Sequence, residues 1–366
     1  MLKTSPCATI SLSAIKNNYF YVKNLAEKGV VCSAVVKANS YGLGATKIAS
    51  MLYNDADCRD FWVAYIEEAI ELREMGIPKN ANIYYLQGFL KSHIKAIRHY
   101  SLTPVINTNE EFECVKNNCI EIVLHVDTGI TRLGIRDITP ILKNIEKENI
   151  KYIISHLACA DEPGGHLMNT KQKEEFDNIL RKIKKNNIKA GISASAGFLL
   201  LPRQDYSYNI IRPGAFLYGI HFGDHFSQNV LTLTAKVIQR YKVPNGTSVG
   251  YGATHVTVKK DSELAVISIG YSDGIRKNLG NSRGKVMFYD SKGTQYSAAI
   301  IGAISMDMIV CDVSNIPMWI TRVYNDAYIL DSKYTINEMA KDAGMTPYEI
   351  LTSINLLSKR FSVKYI

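Results

Sequence analysis

The sequence has no run of about 18 apolar residues, which is roughly the length that a membrane-spanning helix needs. Its first residues, MLKTSPCATISLSAIKNNYF, lack the apolar core of a secretion signal and pass directly into strand and helix patterning. Internal repeats and low-complexity linkers are also missing. We therefore expect a cytoplasmic protein that does not enter a membrane.

Cysteine is sparse and unpatterned. The chain has seven cysteines, an odd number, and no CxxC pair. Cys114 and Cys119 lack the second pair that would complete a zinc site. The sequence therefore predicts reduced thiols and no metal centre.

Acidic residues are in the minority, and the formal net charge is +9. The basic residues are scattered, and the cluster at 181–185 falls on a predicted helix whose apolar residues have helical spacing: Phe176, Ile179, Leu180 and Ile183. No nucleic-acid-binding motif or stacking aromatics accompany the charge, so we expect no nucleic-acid partner. A positive field would still attract an anionic cofactor or substrate.

The length of 366 residues, with 46% hydrophobic and 21% charged residues, indicates a globular chain of two domains. Up to about Ile220, short apolar runs alternate with helix-patterned stretches. This alternation predicts an α/β fold whose parallel sheet closes into a (β/α)8 TIM-like barrel, with an open doubly wound sheet as the alternative. The strand candidates are 61–65, 82–86, 121–126, 152–157 and the region around Ile210, and the helix candidates include 67–75, 109–116 and 171–186.

The pattern changes after about Phe226. Strings such as LTLTAKVIQRY, ELAVISIGY and AAIIGAISMDMIVCDV alternate in the manner of antiparallel strands, and helical patterns follow at 335–343 and 346–357. We expect a barrel domain over residues 1–225 and a mostly β domain over 226–366, with residues 1–12 as candidates to pair with the second domain.

The segment VVKANSYGLGA, residues 35–45, carries the most information about function. Val30 to Val36 has the β-branched pattern of a buried strand, and Lys37 stands where that strand ends. A lysine in a pocket of low dielectric has a depressed pKa and can attack a carbonyl carbon, as in a Schiff base with pyridoxal phosphate. Tyr41, Gly42 and Gly44 predict a tight turn with a hydroxyl at its tip, ahead of a helix.

This segment resembles the cofactor-lysine motif of the alanine racemases, a family of fold-type III pyridoxal-phosphate (PLP) enzymes. The other landmarks of that family follow in order over nearly the whole chain. The resemblance implies a homodimer that interconverts L- and D-alanine and supplies D-alanine for cell-wall peptidoglycan. It also implies that each active site is shared between two subunits.

Racemisation requires a base on each face of the cofactor. The resemblance implies that Lys37 is one base and that Tyr251, in the string SVGYGATH, is the other and serves the neighbouring subunit. His156, in SHLACADE, is similar to the family histidine that lies beside the cofactor and couples to the tyrosine. Arg212, in IIRPGAFLYG, matches the arginine that faces the pyridine nitrogen.

The remaining site residues also follow from the resemblance. Ser195, with Tyr41 and the backbone N–H groups of Gly214 and Ala215, would bind the cofactor phosphate. Arg132, in HVDTGITRLG, would lie near the phenolic oxygen of the cofactor and the substrate carboxylate. The residues expected on the substrate side are Met306, whose N–H would bind the carboxylate, Asp307, and Tyr271 with Asp273.

The match to the family is incomplete at four positions. His125 replaces a lysine, often carbamylated, that would hold Arg132, and a neutral histidine or a bound anion such as chloride is the expected substitute. Ala194 replaces an asparagine before the phosphate serine. Ala303 and Lys277 replace arginines at the substrate entry.

Three other activities compete with alanine racemisation. The first alternative is a racemase of serine or of a broader set of amino acids, for which the altered entry would have to admit larger substrates. A decarboxylase of the same fold would not be expected to retain the VGYG tyrosine, or an arginine at the pyridine nitrogen. A non-catalytic pyridoxal-phosphate carrier would lack the second domain.

Overall fold

The computed structural model describes residues 4–145, 147–162, 166–183, 188–354, 356 and 360–366. The chain forms two compact units. The barrel unit contains residues 16–40 and 44–227, and the β unit contains the chain up to residue 15, residues 41–43 and the chain from 228 onward. Within the described ranges, no helix has both the length and the apolar character to cross a bilayer.

The barrel unit alternates strands and helices. Numbered along the chain after β1 (Cys7–Ile10), its strands are β2 (Val31–Cys32), β3 (Ala34–Val35), β4 (Asp60–Val63), β5 (Asn82–Tyr85), β6 (Thr103–Ile106), β7 (Ile122–His125), β8 (Ile150–Ile154), β9 (Lys189–Gly191) and β10 (Ile210–Ile211). Its helices are Leu12–Leu25, which begins before the unit, Ala45–Ala56, Ile66–Glu74, Ile94–Tyr100, Asn109–Val115, Leu142–Ile145, Leu167–Lys182, Ser195–Leu200 and Arg203–Tyr206, with 3-10 turns at Lys91–His93 and Ala215–Tyr218.

The parallel strands close into a ring. Strands β3 to β9 pair in chain order, and β10 pairs in parallel with β2. Ser33 divides β2 from β3, and the Asn209 N–H donates to the Ala190 carbonyl at 2.9 Å, which joins the β9 and β10 segments. The predicted barrel is therefore confirmed, and the open doubly wound sheet is wrong.

The barrel interior explains why its strands read as continuous apolar runs. Strands β4, β6 and β7 are buried at every residue, as expected for a parallel sheet covered on both faces. The side chains that fill the centre are Trp62, Tyr84, Val105, Val123, Tyr152, Ile154 and Ile210. Because parallel strands share one direction, their C-terminal ends form one rim, where barrel enzymes place their chemistry.

The β unit contains a closed antiparallel barrel, which confirms the mostly β second domain. Its strands are β11 (Leu231–Pro244), β12 (Ser248–Val249), β13 (His255–Val256), β14 (Asp261–Ile267), β15 (Lys285–Tyr289), β16 (Gln295–Ile301), β17 (Ile309–Asp312), β18 (Asp326–Leu330) and β19 (Ser362–Tyr365). The ring runs β11-β14-β17-β16-β15-β18 and returns to β11, and β1 pairs with both β11 and β19.

Helices Ile336–Ala343 and Pro347–Ser353 complete the β unit. Each begins with a capping box, in which a threonine and the glutamate three residues later satisfy each other's backbone N–H groups. These helices match the predicted patterns at 335–343 and 346–357, although the second ends at Ser353 and residues 355 and 357 lie outside the described part. In the barrel unit, the helix predicted over 171–186 begins four residues earlier, at Leu167.

Candidate active site

Lys37 lies at the C-terminal rim of the barrel, two residues beyond the end of β3. The segment before it is fixed by hydrogen bonds from the Val35 N–H to the Pro213 carbonyl at 2.9 Å and from the Val36 N–H to the Trp62 carbonyl at 2.8 Å. Burial lowers the pKa of Lys37, and the nearby charge of Arg132 lowers it further, while Glu68 acts in the opposite direction. A larger fraction of neutral, nucleophilic amine results.

The predicted turn at Gly42 and Gly44, whose φ values are 90° and 101°, is present ahead of the helix Ala45–Ala56, and a second feature precedes it. Residues 38–41, none of them glycine, have φ values of 50°, 54°, 53° and 56°, which form one turn of left-handed backbone. Each such residue costs about 1–2 kcal/mol relative to ordinary helix. This strain is held by hydrogen bonds from the Ala38 N–H to Glu68 Oε1 at 2.6 Å and from the Ala45 N–H to Asn39 Oδ1 at 2.7 Å.

Glu68 is a site residue that the sequence reading missed. Its second oxygen accepts hydrogen bonds from the N–H groups of Ala64 and Tyr65, at the start of the helix after β4. The carboxylate therefore ties the turn beside Lys37 to the neighbouring strand end. Its spacing from the lysine, across a whole helix and strand, carries no local sequence signal.

Arg132 lies in the loop that follows β7. The Asp127 carboxylate shapes this loop by accepting from the Gly129 N–H at 2.9 Å and the Thr131 N–H at 3.1 Å. Gly134 is required there, because its φ is 118° and a Cβ would lie 2.6 Å from the backbone nitrogen of Asp127. The arginine side chain is exposed on the same rim as Lys37.

His125, the last residue of β7, is a neutral and oriented imidazole. Its Nδ1 lies 2.9 Å from Asn107 Oδ1, while the Asn107 amide nitrogen donates to the carbonyls of Leu86 and Val105. The asparagine oxygen can only accept, so Nδ1 carries the proton and Nε2 has the lone pair. Burial and the charges of Arg212 and Arg132 lower the His125 pKa to about 3.

The neutral state agrees with one of the two substitutes expected for the carbamylated lysine, a neutral histidine. A neutral imidazole with a lone pair at Nε2 offers a hydrogen-bond acceptor and no charge. Within the described part of the chain, the buried Nε2 has no hydrogen-bond partner. His125 is thus available as an acceptor for a donor on the rim.

His156 shows that the predicted barrel residues come together. It stands two residues beyond the end of β8, where its carbonyl accepts from the Gln172 amide at 2.9 Å. Burial holds the pKa of His156 well below its usual range, and Arg212, Arg132, His125 and Lys37 all lower it further. The pKa of this one imidazole is therefore lowered by four other residues of the rim.

Arg212 follows directly after β10 and is only 5% exposed. Its terminal nitrogens donate to the carbonyls of Gly191 at 3.1 Å and Ser155 at 2.5 Å, and more weakly to Ile192. Gly191 permits this approach, since a Cβ there would lie 3.2 Å from Nη1. The Nε–H donates to none of the described residues and remains free for a ligand.

Ser195 begins the helix Ser195–Leu200 and is 3% exposed. Its hydroxyl oxygen accepts from the N–H groups of Gly214 at 3.1 Å and Phe216 at 3.3 Å. Ala215 begins a 3-10 turn directly after Gly214, so its N–H follows in the same short segment as the two that donate to the serine.

Tyr41 belongs to the β unit together with Gly42 and Leu43. Its ring centre lies 6.4 Å from that of Tyr348, on the helix Pro347–Ser353, and burial raises its pKa above its ordinary value. Leu43 is tied to β19 by a hydrogen bond from the Tyr365 hydroxyl at 3.1 Å. The structure thus places Tyr41 in a different unit from Ser195.

Tyr251 is strongly exposed, at 76%. It opens a 3-10 turn between Gly250 and Gly252, whose φ values are 73° and 71°. Gly250 is needed for close approach as well, because a Cβ there would lie 3.2 Å from the Ala303 nitrogen. The small side chain of Ala303 therefore lies beside the turn that presents the tyrosine.

Tyr271, Asp273, Met306 and Asp307 are brought together by two turns of the β unit. The Tyr271 N–H donates to the Ser305 carbonyl, and the Ser272 N–H donates to the Met306 carbonyl, both at 3.0 Å. The Lys277 ammonium lies 4.5 Å from the centre of the Tyr271 ring, a cation–π contact. The residue that replaces the usual entry arginine therefore holds the predicted entry tyrosine.

The rim of the barrel unit fits an anionic aldehyde cofactor. It carries an amine with a lowered pKa and two guanidinium groups, and Glu68 is the carboxylate that raises the Lys37 pKa. The Ser195 oxygen accepts from two backbone N–H groups, which leaves its own O–H as a donor suited to a phosphate oxygen. The described residues include no group of three or more His, Cys, Asp or Glu side chains suited to a metal ion.

Comparison with known proteins agrees with this geometry. Family models described as "Alanine racemase, N-terminal domain" and "Alanine racemase, C-terminal domain" match residues 10–221 and 230–365. Alanine racemases of Rickettsia canadensis and Brucella abortus are 36% and 33% identical, over 97% and 98% of this chain and 98% and 93% of theirs.

Solved structures give the same result. Alanine racemase from Bartonella henselae with covalently bound pyridoxal phosphate has a TM-score of 0.89 and 33% identity, and all of both chains is covered. The biosynthetic alanine racemase from Pseudomonas aeruginosa has a TM-score of 0.85 and 29% identity, again over all of both chains. Fold and site thus define a pyridoxal-phosphate enzyme of the barrel type. The chain belongs to the alanine racemase family.

Proposed function

We propose that this enzyme interconverts L- and D-alanine with pyridoxal 5'-phosphate and two bases, Lys37 and Tyr251. The observation that carries the proposal is Lys37, a rim lysine with a lowered pKa among the cations of a barrel that matches alanine racemases over its whole length. Division of the chain at about residue 225 into a cofactor domain and a β domain is part of the proposal.

The cofactor would be held by the barrel rim. Lys37 would supply the amine that binds its aldehyde, Arg212 would donate its Nε–H to the pyridine nitrogen, and His156 would lie beside the ring. Ser195, Tyr41 and the N–H groups of Gly214 and Ala215 would bind the phosphate. When bound, pyridoxal phosphate withdraws electrons from the substrate Cα and so makes its proton removable.

The protein's own groups then move the proton. The Lys37 amine takes or returns it on one face, and the Tyr251 hydroxyl does so on the other. Arg132 and the Met306 N–H hold the substrate carboxylate, and Tyr271 and Asp307 limit the space for the side chain. Arg212 keeps its proton because a guanidinium gives it up very reluctantly, so it would offer the pyridine nitrogen a hydrogen bond but no proton, which would limit side reactions.

Tyr251 would serve the neighbouring subunit of a head-to-tail homodimer. Its exposure supports this, since a catalytic tyrosine that is 76% exposed needs a second surface to complete its site. Met306 and Met308 are also unusually exposed for apolar side chains, at 53% and 41%. We further propose that the enzyme works in the cytoplasm and provides D-alanine for peptidoglycan.

The test is chirality measurement after the purified protein is incubated with pyridoxal phosphate and L-alanine, L-serine or L-lysine. We expect D-alanine to form fastest, Lys37→Ala to be inactive, and Lys47→Ala, an exposed lysine on the following helix, to be fully active. Faster turnover of serine would favour the racemase of broader specificity. Cofactor binding without conversion of any amino acid would indicate the carrier.

A further inference from the structure

Arg360 links two turns of the β unit. Its Nε and Nη2 donate to the two oxygens of Asp273, at 2.6 and 3.3 Å, and Nη2 also donates to Asp307 Oδ1 at 2.8 Å. Asp273 is fully buried, whereas the Arg360 and Asp307 side chains are about half exposed. A single guanidinium therefore holds two carboxylates that belong to different turns.

The two turns are already in close backbone contact. Gly270 allows the approach, because a Cβ there would lie 2.3 Å from the Met306 carbonyl oxygen. The Ser272 hydroxyl donates to that same oxygen at 2.7 Å and lies 3.3 Å from Asp307 Oδ1. The position of the Met306 peptide thus depends on the turn at 271–273.

The geometry at Arg360 is specific to arginine. A planar guanidinium matches both oxygens of one carboxylate, and its remaining donor can reach a second carboxylate, which a lysine ammonium cannot do in the same way. The hydrogen bonds to Asp273 and Asp307 raise the pKa of Arg360. The pair with Asp273 also satisfies a buried carboxylate that would otherwise be costly.

We propose that Arg360 is a positioning residue that fixes the turn at 305–307 against the turn at 271–273 and so places the Met306 N–H and the Tyr271 ring for a small amino-acid substrate. The inference rests on the proposed function, which assigns those two groups to the substrate. Arg360 itself touches no substrate, and it acts through Asp273 and Asp307.

The kinetic test compares Arg360→Lys and Arg360→Gln with Arg322→Gln, an exposed arginine of the same unit. At equal cofactor occupancy we expect the Arg360 variants to raise KM for alanine about tenfold and to change kcat less than about threefold, since carboxylate placement is affected more than the bases. In the Arg360→Lys background, the Asp307→Asn change should raise KM for alanine little further, because the two residues form one contact. Loss of kcat at unchanged KM would overturn the proposal.

Amide hydrogen exchange on the cofactor-free protein gives a second readout. Arg360→Gln should speed exchange at least about fivefold in segments 268–275 and 303–309 and leave strand β15 unchanged. If Arg360→Gln exchanges at the wild-type rate in both segments, the proposal is overturned, whatever KM and kcat the variant has. A wild-type enzyme that fails to racemise alanine would overturn the proposed function instead, and the exchange data would still decide whether Arg360 links the turns.

Discussion

His125 donates a hydrogen bond from Nδ1 to the side-chain oxygen of Asn107, over 2.9 Å. This one contact fixes the tautomer of a buried imidazole on the barrel rim, because the asparagine nitrogen is already used by two carbonyls. The family lysine at this position would bring a negative carbamate, and this chain has a neutral acceptor in its place. Arg132, whose charge lowers the His125 pKa, therefore has a neutral acceptor nearby at this position and not an opposite charge.

Asn107→Asp tests the electrostatic part of this account. A carboxylate next to Nδ1 favours the imidazolium, so the His125 pKa should rise by about 1–3 units from its value of about 3. The measurement is an NMR titration of the histidine ring resonances in the cofactor-free protein, with exposed His99 as an internal control. A His125 pKa that stays near 3 would contradict the contact between residue 107 and Nδ1.

The low pKa of His125 also predicts sensitivity to acid. The unfolded chain binds a proton at His125 below about pH 6.5, but the folded state does not bind one until about pH 3. Folding stability is therefore unaffected above pH 6.5, and below it should fall by up to about 1.4 kcal/mol per pH unit from this residue. The measurement is denaturant unfolding of the cofactor-free protein at pH 7.5 and 5.0. Between these pH values the free energy of unfolding should fall less in His125→Asn than in the wild type. Equal losses in the variant and the wild type would contradict this assignment.

Arg132→Gln should raise the pKa of Lys37. The Arg132 charge lowers that pKa in the wild type, so removing the charge leaves burial as the main depressing cause. The pH dependence of Lys37 acylation in the cofactor-free protein, followed by peptide mass spectrometry, should shift to a higher midpoint. An unchanged midpoint would mean that the arginine lies too far from the lysine to act on it.

Ala38→Gly tests the strained turn. Glycine removes about 1–2 kcal/mol of left-handed strain. It also lowers the folding stability by about 0.4–1 kcal/mol, because it raises the conformational entropy of the unfolded chain. The variant should therefore be as stable as the wild type or slightly more so. Ala96→Gly, on the helix Ile94–Tyr100, should lose about 1 kcal/mol. The measurement is the free energy of unfolding in denaturant. If it falls by about 1 kcal/mol in both variants, residue 38 is not strained.

The sequence was sufficient for the elements that depend on local patterns. Buried strands such as β4 and β7 are apolar runs in the sequence. Lys37 follows another apolar run and stands in the recognisable motif VVKANSYGLGA. The left-handed turn was missed because residues 38–41 contain no glycine, the usual signal of positive φ. Glu68 and Asn107 were missed because their partners are distant in sequence.

The most direct test of the two-base account is hydrogen exchange at the substrate Cα in deuterated water, with Tyr251→Phe compared with Tyr241→Phe, another exposed tyrosine of the β unit. We predict that Tyr251→Phe still exchanges the Cα proton of one enantiomer of alanine through Lys37, without inverting it, while Tyr241→Phe racemises normally. Racemisation by Tyr251→Phe at the wild-type rate would contradict the assignment of Tyr251 as the second base.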